Sequence, residues 1–271
     1  MKLCIIIGSP VAHSLSPAMH NAAYEALNIA TEYHYTAKQI QPRSLEDFIK
    51  SARLKYHSLA VTMPHKESVI KFLDSVDSEA EAVGAVNTVI NYRGKLTGYN
   101  TDGRGAMDAL KQYTPLKGKH VAVLGTGGTA RAIIYGLKKA NAEVVLYGRN
   151  MEKTNLLALR FGCRIGNWTD RFQVAESEII INTTPPAGKN MLPLIPNDIV
   201  SAGHIIFDVN YIASGSIQQD DWKAKGVIVI DGLELLLKQG LLQFELMTGH
   251  KAPEEVMRKS IIKGIRKMRE I

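Results

Sequence analysis

Short apolar runs set between polar loops divide the chain into two stretches of different rhythm. In the first, about residues 1–103, apolar spacing predicts strands at Lys2–Ile7, Glu32–Ala37 and Ser58–Thr62. It also predicts a hairpin of Thr88–Tyr92 and Lys95–Gly98, turned by Arg93-Gly94. Helices are predicted from Ser16 to Leu27, over Leu45–Arg53, near Glu67–Phe72 and over Ser78–Val83. Ser16 is the expected N-cap of the first of these, with Pro17 in its first turn. A helical connector over 103–112 runs into Pro115 and Gly118, which mark a boundary.

Beyond that boundary the rhythm becomes regular. Apolar strands are predicted at His120–Leu124, Val144–Tyr147, Ile179–Asn182, Ile205–Val209 and Val227–Ile230, with a weaker one at Cys163–Ile165. Helical patterns separate most of them, and short buried strands alternating with helices indicate a parallel, doubly wound sheet. After Asp231-Gly232, two helices remain, about Leu233–Met247 and Pro253–Arg269, with no strand to accompany them. They are expected to return to the first stretch. The fold expected is therefore α/β with two domains: residues 1–103 completed by 233–271, and residues 104–232 including the connector.

Composition narrows the possibilities. Hydrophobic residues make up 45% and charged residues 22% of the 271, enough apolar surface to offset chain entropy, so disorder is excluded. No run approaches the roughly 18 apolar residues of a membrane span, and Leu3–Ile7 is too short for a signal peptide, so a cytoplasmic chain is expected. Cys4 and Cys163 lie far apart in apolar stretches and are read as free thiols. The net charge of +7 is concentrated toward the C-terminus, where Arg258, Lys259, Lys263, Arg266 and Lys267 alternate with apolar residues at helical spacing. That pattern is a solvated helix face, and no nucleic-acid-binding motif accompanies it. The histidines do not cluster at ligand spacing, so no metal is expected, and His13, His20 and His65 are read as surface or loop residues.

The strand His120–Leu124 runs straight into Gly125-Thr126-Gly127-Gly128-Thr129-Ala130, and a helix follows. This is a GxGxxA loop in its strand–turn–helix setting: glycines let the backbone approach a pyrophosphate, and the helix N-terminus offers amide donors. A Rossmann-type dinucleotide domain is expected. The next strand ends at Gly148-Arg149-Asn150, where an NAD-binding chain usually offers a carboxylate to the ribose. None is present, and Arg149 can meet a 2′-phosphate with a forked contact, aided by Asn150 and Lys153, so NADP is the expected cofactor. Thr183, Val209 and Gly232 lie just after later strands, at the sheet edge where ligands bind.

Polar loops in the first stretch carry a second constellation. Ser14 and Ser16 put two hydroxyls at the mouth of a helix, where they can bind a carboxylate or serve as caps. Thr62 and Lys66 stand at a strand exit, Asn87 precedes a strand, and Asp102 opens the connector helix. A lysine beside a carboxylate is either a structural ion pair or a complete proton-transfer unit.

Nearly the whole chain resembles the shikimate dehydrogenase family. The resemblance is carried by Ser14-Leu15-Ser16, Val61-Thr62-Met63-Pro64-His65-Lys66, Gly84-Ala85-Val86-Asn87-Thr88, Asn100-Thr101-Asp102-Gly103, the glycine loop, Asp208-Val209-Asn210-Tyr211, and Asp231-Gly232 with Gln239. It implies reversible reduction of 3-dehydroshikimate to shikimate with NADPH. It further implies that residues 1–103 bind substrate, with Ser14 and Ser16 on its carboxylate. Thr62, Asn87, Asp102, Tyr211 and Gln239 would hold its ring hydroxyls, and Lys66 with Asp102 would form the catalytic pair. Gly125, Thr126, Gly127, Gly128 and Thr129 become the phosphate loop, and Arg149, Asn150 and Lys153 the 2′-phosphate side. Val209 and Gly232 become neighbours of the nicotinamide. The chain departs from the family pattern at Gly148 and Asn150, where Asn and Thr are common, at Ala60, where Asn is common, and at Leu235, where Met is common. The expected partner is a small molecule, with no nucleic acid or membrane, and the chain is expected as a monomer or homodimer. Two rivals stand beside this reading: an NAD-dependent quinate/shikimate dehydrogenase, and a non-catalytic sensing module on the same fold.

Overall fold

A computed structural model describes residues 1–185, 194–211 and 217–269. It falls into two compact units, Met1–Gly105 with Leu237–Ile271, and Ala106–Leu236.

The first unit is built on a mixed sheet. Its elements are β1 (Lys2–Gly8), α1 (Ser16–Ala26), β2 (Tyr33–Gln39), α2 (Leu45–Lys55), β3 (Ser58–Val61), β4 (Ser75–Val76), α3 (Ser78–Val83), β5 (Thr88–Tyr92) and β6 (Lys95–Tyr99). The strand order is β2-β1-β3-β5-β6-β4. β1 is an unbroken Cys-Ile-Ile-Ile run because it is parallel to a neighbour on each side and buried throughout its second half. The β5–β6 hairpin turns on Arg93 (φ 52°) and Gly94 (φ 84°), the paired left-handed conformations of a two-residue turn. Ile5, Ile7, Phe48, Leu59, Val89 and Leu96 form the core between this sheet and α2.

The chain leaves this unit through α4 (Asp102–Leu110). The second unit contains β7 (His120–Leu124), α5 (Gly128–Lys139), β8 (Glu143–Tyr147), α6 (Met151–Phe161), β9 (Arg164–Ile165), β10 (Ile179–Asn182), β11 (Ile205–Asp208), α7 (Ile217–Ala224) and β12 (Ile228–Ile230). All pairings are parallel, in the order β12-β11-β10-β7-β8-β9. This is the doubly wound, Rossmann-type sheet expected, with its change of direction between β7 and β10. Alternate residues feed cores on opposite faces. Val121, Val123, Ile179 and Ile181 pack in one cluster, and Ala122, Leu124 and Ile180 in the other. Burial on both faces explains why these strands read as continuous apolar runs.

α8 (Gly232–Thr248) carries the chain back, and α9 (Glu254–Arg269) completes the first unit by packing on α1. Ser260 Oγ donates to the Ala18 carbonyl at 3.0 Å there, and Gly264 admits the Leu15 side chain. Among the described residues, no helix is long and apolar enough to cross a membrane.

Several local expectations are corrected. Ser16 is the first residue of α1, not its N-cap; Leu15 occupies that position, and its side chain makes no capping bond. The stretch Glu67–Phe72 forms only a 3₁₀ turn at Ile70–Phe72. Thr62 lies beyond the end of β3, and β4 is a short edge strand that periodicity does not reveal. His20 is buried within α1 rather than on the surface or a loop, and His65, on a loop as expected, is buried as well. His20 falls in phase with Ser16, Met19, Ala23 and Tyr24 on the inward stripe of α1. His65 Nε2 donates to the Ile40 carbonyl at 2.7 Å, which ties the loop after β3 to the end of β2.

Candidate active site

Three loops of the first unit and one face of α8 converge on one polar cluster. Lys66 lies on the loop after β3, and its backbone carbonyl accepts from Val86 N at 2.8 Å. That bond fixes Lys66 beside the start of β5, where Asn87 stands. Asp102 opens α4, and its backbone N–H is capped by Asn100 Oδ1 at 3.0 Å while Asn100 Nδ2 reaches the Ala85 carbonyl at 2.8 Å. The two loops are therefore laced together before any charged group is considered.

The charged groups then meet. Lys66 Nζ donates to Asp102 Oδ2 at 2.5 Å, with side-chain exposures of 15% and 5%. A pair this enclosed is screened far less than a surface ion pair. Asn87 Nδ2 donates to the other carboxylate oxygen, Asp102 Oδ1, at 2.8 Å. It also lies 2.8 Å from Thr101 Oγ1 and 3.4 Å from Gln239 Oε1. Gln239 reaches the cluster because Gly105 lets α4 approach α8: a Cβ on Gly105 would sit 2.7 Å from Gln239 N and 2.9 Å from its Cα.

The remaining residues singled out in this unit are disposed around it. Ser14 Oγ accepts from Ser16 N at 3.3 Å on the loop between β1 and α1, and Ser16 is buried. Thr62 is anchored by its N–H to the Ile7 carbonyl, and its methyl fills the space over Gly8, where a Cβ would lie 2.4 Å away. Three further members of the cluster, Thr88, Thr101 and Gln243, are not singled out by sequence. Gln243 had a signal: it stands one helical turn beyond Gln239, on the same face of α8.

The second unit holds the other constellation. Gly125 follows β7 with φ 116°, and a Cβ there would lie 2.3 Å from Thr183 Oγ1. Thr183 is held by two bonds to the Leu124 carbonyl, from its N–H at 2.9 Å and its hydroxyl at 2.7 Å. Gly127 is the N-cap of α5 with no side-chain capping bond, and a Cβ on it would meet nothing within 4 Å. An open glycine at an uncapped helix start, at the switch point of a parallel sheet, fits a dinucleotide pyrophosphate. Thr126, on the loop, and Thr129, in the first turn of α5, flank that opening.

Arg149, Asn150 and Lys153 follow β8 and are exposed. Asn150 has a duty the sequence did not disclose: its Oδ1 caps α6 by accepting from Lys153 N at 2.9 Å. Gly148 is required where it stands, because a Cβ would meet Thr154 Oγ1 at 2.2 Å and the Thr126 methyl at 2.7 Å. Val209, Tyr211 and Gly232 come together at the β11 and β12 exits, with Val209 O and Tyr211 N against the face of Gly232. Behind them Asp208 accepts from Asn210 and Asn182, and burial, reinforced by nearby Asp231, raises its carboxyl above the ordinary value. Tyr211 belongs to the second unit, and Lys66 and Asp102 belong to the first.

Comparison with known proteins matches stretches of both units. The family described as "Shikimate dehydrogenase substrate binding domain" matches residues 6–89, and "Shikimate 5'-dehydrogenase C-terminal domain" matches residues 232–262. "NADP oxidoreductase coenzyme F420-dependent" matches residues 120–210. The chain is 38% identical over 269 residues to a shikimate dehydrogenase (NADP(+)) of Thermococcus kodakarensis, covering 97% of each. It is 37% identical to one of Pyrococcus furiosus, covering 98% of this chain and 97% of that one. Among solved structures it is similar to shikimate 5-dehydrogenase from Thermus thermophilus in complex with NADP(H) and shikimate. That match has a TM-score of 0.86 and 34% identity, and covers 97% of this chain and all of the other. Agreement of this extent, over both units and at full length, places the chain in the shikimate dehydrogenase family.

Proposed function

We propose that the chain catalyses the reversible NADPH-dependent reduction of 3-dehydroshikimate to shikimate, a step toward chorismate and the aromatic amino acids. The observation that carries this reading is the enclosed Lys66–Asp102 pair, in which Lys66 donates to Asp102 Oδ2 and Asn87 braces the carboxylate through Oδ1. In the oxidation of shikimate, Lys66 Nζ as the neutral amine takes the proton of the reacting hydroxyl; in the reduction its ammonium form returns one. Asp102 holds Nζ in place and orients the hydroxyl. Ser14 and Ser16 take the substrate carboxylate, and Thr62, Asn87, Gln239 and Tyr211 the ring hydroxyls.

When bound, NADP(H) supplies the hydride acceptor or donor for the ring carbon. The backbone of Gly125–Thr129 holds its pyrophosphate, with Thr183, Val209 and Gly232 toward the nicotinamide. Arg149, Lys153 and the amide of Asn150 take the 2′-phosphate. The absence of a carboxylate at the β8 exit favours NADP over NAD, because an acidic side chain there would repel that phosphate. The same reading carries a cytoplasmic location with it.

The test is absorbance at the reduced-nicotinamide band, with shikimate or quinate crossed with NADP or NAD. Shikimate with NADP is expected to give the highest kcat/KM. No turnover of shikimate with either cofactor would overturn the reading in favour of a silent sensing module. Preference for quinate with NAD would overturn it in favour of the other rival.

A further inference from the structure

Asn87 stands in the middle of a hydrogen-bond chain whose direction is fixed at both ends by backbone groups. At one end, Asn87 Oδ1 accepts from Thr101 N at 2.9 Å; a backbone N–H can only donate, so the amide oxygen must face it. Asn87 Nδ2 is thereby turned to Asp102 Oδ1. At the other end, Gln243 Nε2 lies 3.1 Å from the Asn87 backbone carbonyl, which can only accept. The same Nε2 donates to Thr88 Oγ1 at 2.9 Å. The Thr88 hydroxyl has one proton, and it goes to the second lone pair of Asn87 Oδ1 at 2.8 Å.

The chain therefore runs Gln243 to Thr88 to Asn87 to Asp102, with no member able to reverse. Thr88 is fully enclosed and Gln243 is 3% exposed, so water does not substitute readily for either. Neither touches Lys66 in this chain of bonds; each acts through Asn87.

We infer that Thr88 and Gln243 are positioning residues for the Lys66–Asp102 pair: they lock the Asn87 amide in the one orientation that donates to Asp102 Oδ1 and leaves Oδ2 to Lys66. The inference rests on the dehydrogenase reading of that pair. Losing either residue leaves an Asn87 lone pair or the Thr88 hydroxyl without its partner, so Thr101 N alone holds the amide oxygen and the alignment of Nδ2 on Asp102 Oδ1 loosens.

The experiment compares wild type with Thr88→Val, which keeps the shape and deletes the hydroxyl, Thr88→Ser, which keeps the hydroxyl, Gln243→Met, and the double Thr88→Val/Gln243→Met. Thermal melts and NADP titration monitor folding and the second unit. The expected result is a loss in kcat of about 10-fold for Thr88→Val and for Gln243→Met, the size typical of a lost outer partner, with a displaced limb in the pH profile of kcat. Thr88→Ser recovers most of the loss, and the double variant loses no more than the worse single, because both act on one chain. A merely structural role would scale kcat equally at every pH. Wild-type kcat and pH profile in both single variants would overturn the positioning role while leaving shikimate turnover intact, as would losses that multiply in the double variant. Absent turnover of shikimate by wild type would instead overturn the dehydrogenase reading itself. If Thr88→Val does not fold, Gln243→Met decides the question by the same profile.

Discussion

His20 makes the first unit acid-sensitive, and the size of the effect follows from its surroundings. The ring is fully enclosed, stacked on Tyr35 with centroids 4.4 Å apart and planes 8° apart, with Phe244 at 6.0 Å. Neither ring nitrogen has a hydrogen-bond partner among the described residues. Burial therefore lowers its pKa from 6.5 to about 3. Between those values the unfolded chain carries a proton on His20 that the folded chain excludes, so stability falls as pH falls. It is fully present above 6.5 and declines by about 1.4 kcal/mol per pH unit below it. From neutral pH to pH 5 the loss is about 2 kcal/mol. Replacing His20 with Phe keeps an aromatic ring against Tyr35 and removes the proton. Carboxylates held low by partners, such as Asp74 and Glu254, lose their contributions only at more acid pH. Asp208, held high by burial, works in the opposite direction. All three are common to both proteins and cancel in the difference. The assay is urea unfolding followed by far-ultraviolet circular dichroism, because both tryptophans, Trp168 and Trp222, lie in the second unit and would not read the first. The stability of wild type should drop relative to His20→Phe by about 2 kcal/mol between pH 7.5 and 5.0. Parallel curves over that range would refute the claim that His20 is folded in its neutral form.

Lys66→Ala should lower turnover by about 10² to 10⁴ with NADP affinity retained in a fluorescence titration; near-wild-type turnover would reassign the proton transfer. Arg149→Asp should weaken NADPH binding far more than NADH binding in isothermal titration, and equal losses would contradict the 2′-phosphate assignment. Gly125→Ala forces a side chain into a backbone at φ 116° and onto Thr183 Oγ1 at 2.3 Å, so dinucleotide affinity should collapse; unchanged affinity would show that the loop is not the pyrophosphate cradle. Gly105→Ala should push α4 off the turn of α8 that bears Gln239, raising the KM for shikimate and lowering stability by about 1–3 kcal/mol. An unchanged KM would separate that helix contact from substrate binding.

The doubly wound sheet is legible in the sequence because its strands are buried on both faces and therefore uniformly apolar, and because Gly125–Ala130 marks a glycine turn from β7 into α5. The mixed sheet is less so. β4 is two residues long and gains its place from pairing with β6, which no local periodicity encodes. His20 is misjudged for a different reason. Residue type argues for the surface while helical phase argues for the core, and phase prevails because stacking on Tyr35 and Phe244 uses the ring as an apolar plate.

The candidate site divides along the same line. Lys66 and Asp102 are 36 residues apart, and nothing in their spacing requires them to touch; the family resemblance, not periodicity, joins them. What brings them together is a set of bonds to backbone groups: Val86 N to Lys66 O, Asn100 Oδ1 from Asp102 N, and Thr101 N to Asn87 Oδ1. Such bonds are indifferent to side-chain type at one end or, for Val86 N to Lys66 O, at both, so they leave at most half a trace in the sequence. Thr88 and Gln243 illustrate the consequence. Each is a polar residue in an enclosed place, which is tolerable only when its donors and acceptors are matched, and the match lies 155 residues away. A buried polar side chain with a fixed bonding direction is thus the sign to follow from fold to chemistry. In this chain it leads from the core of α8 to the carboxylate that holds the lysine.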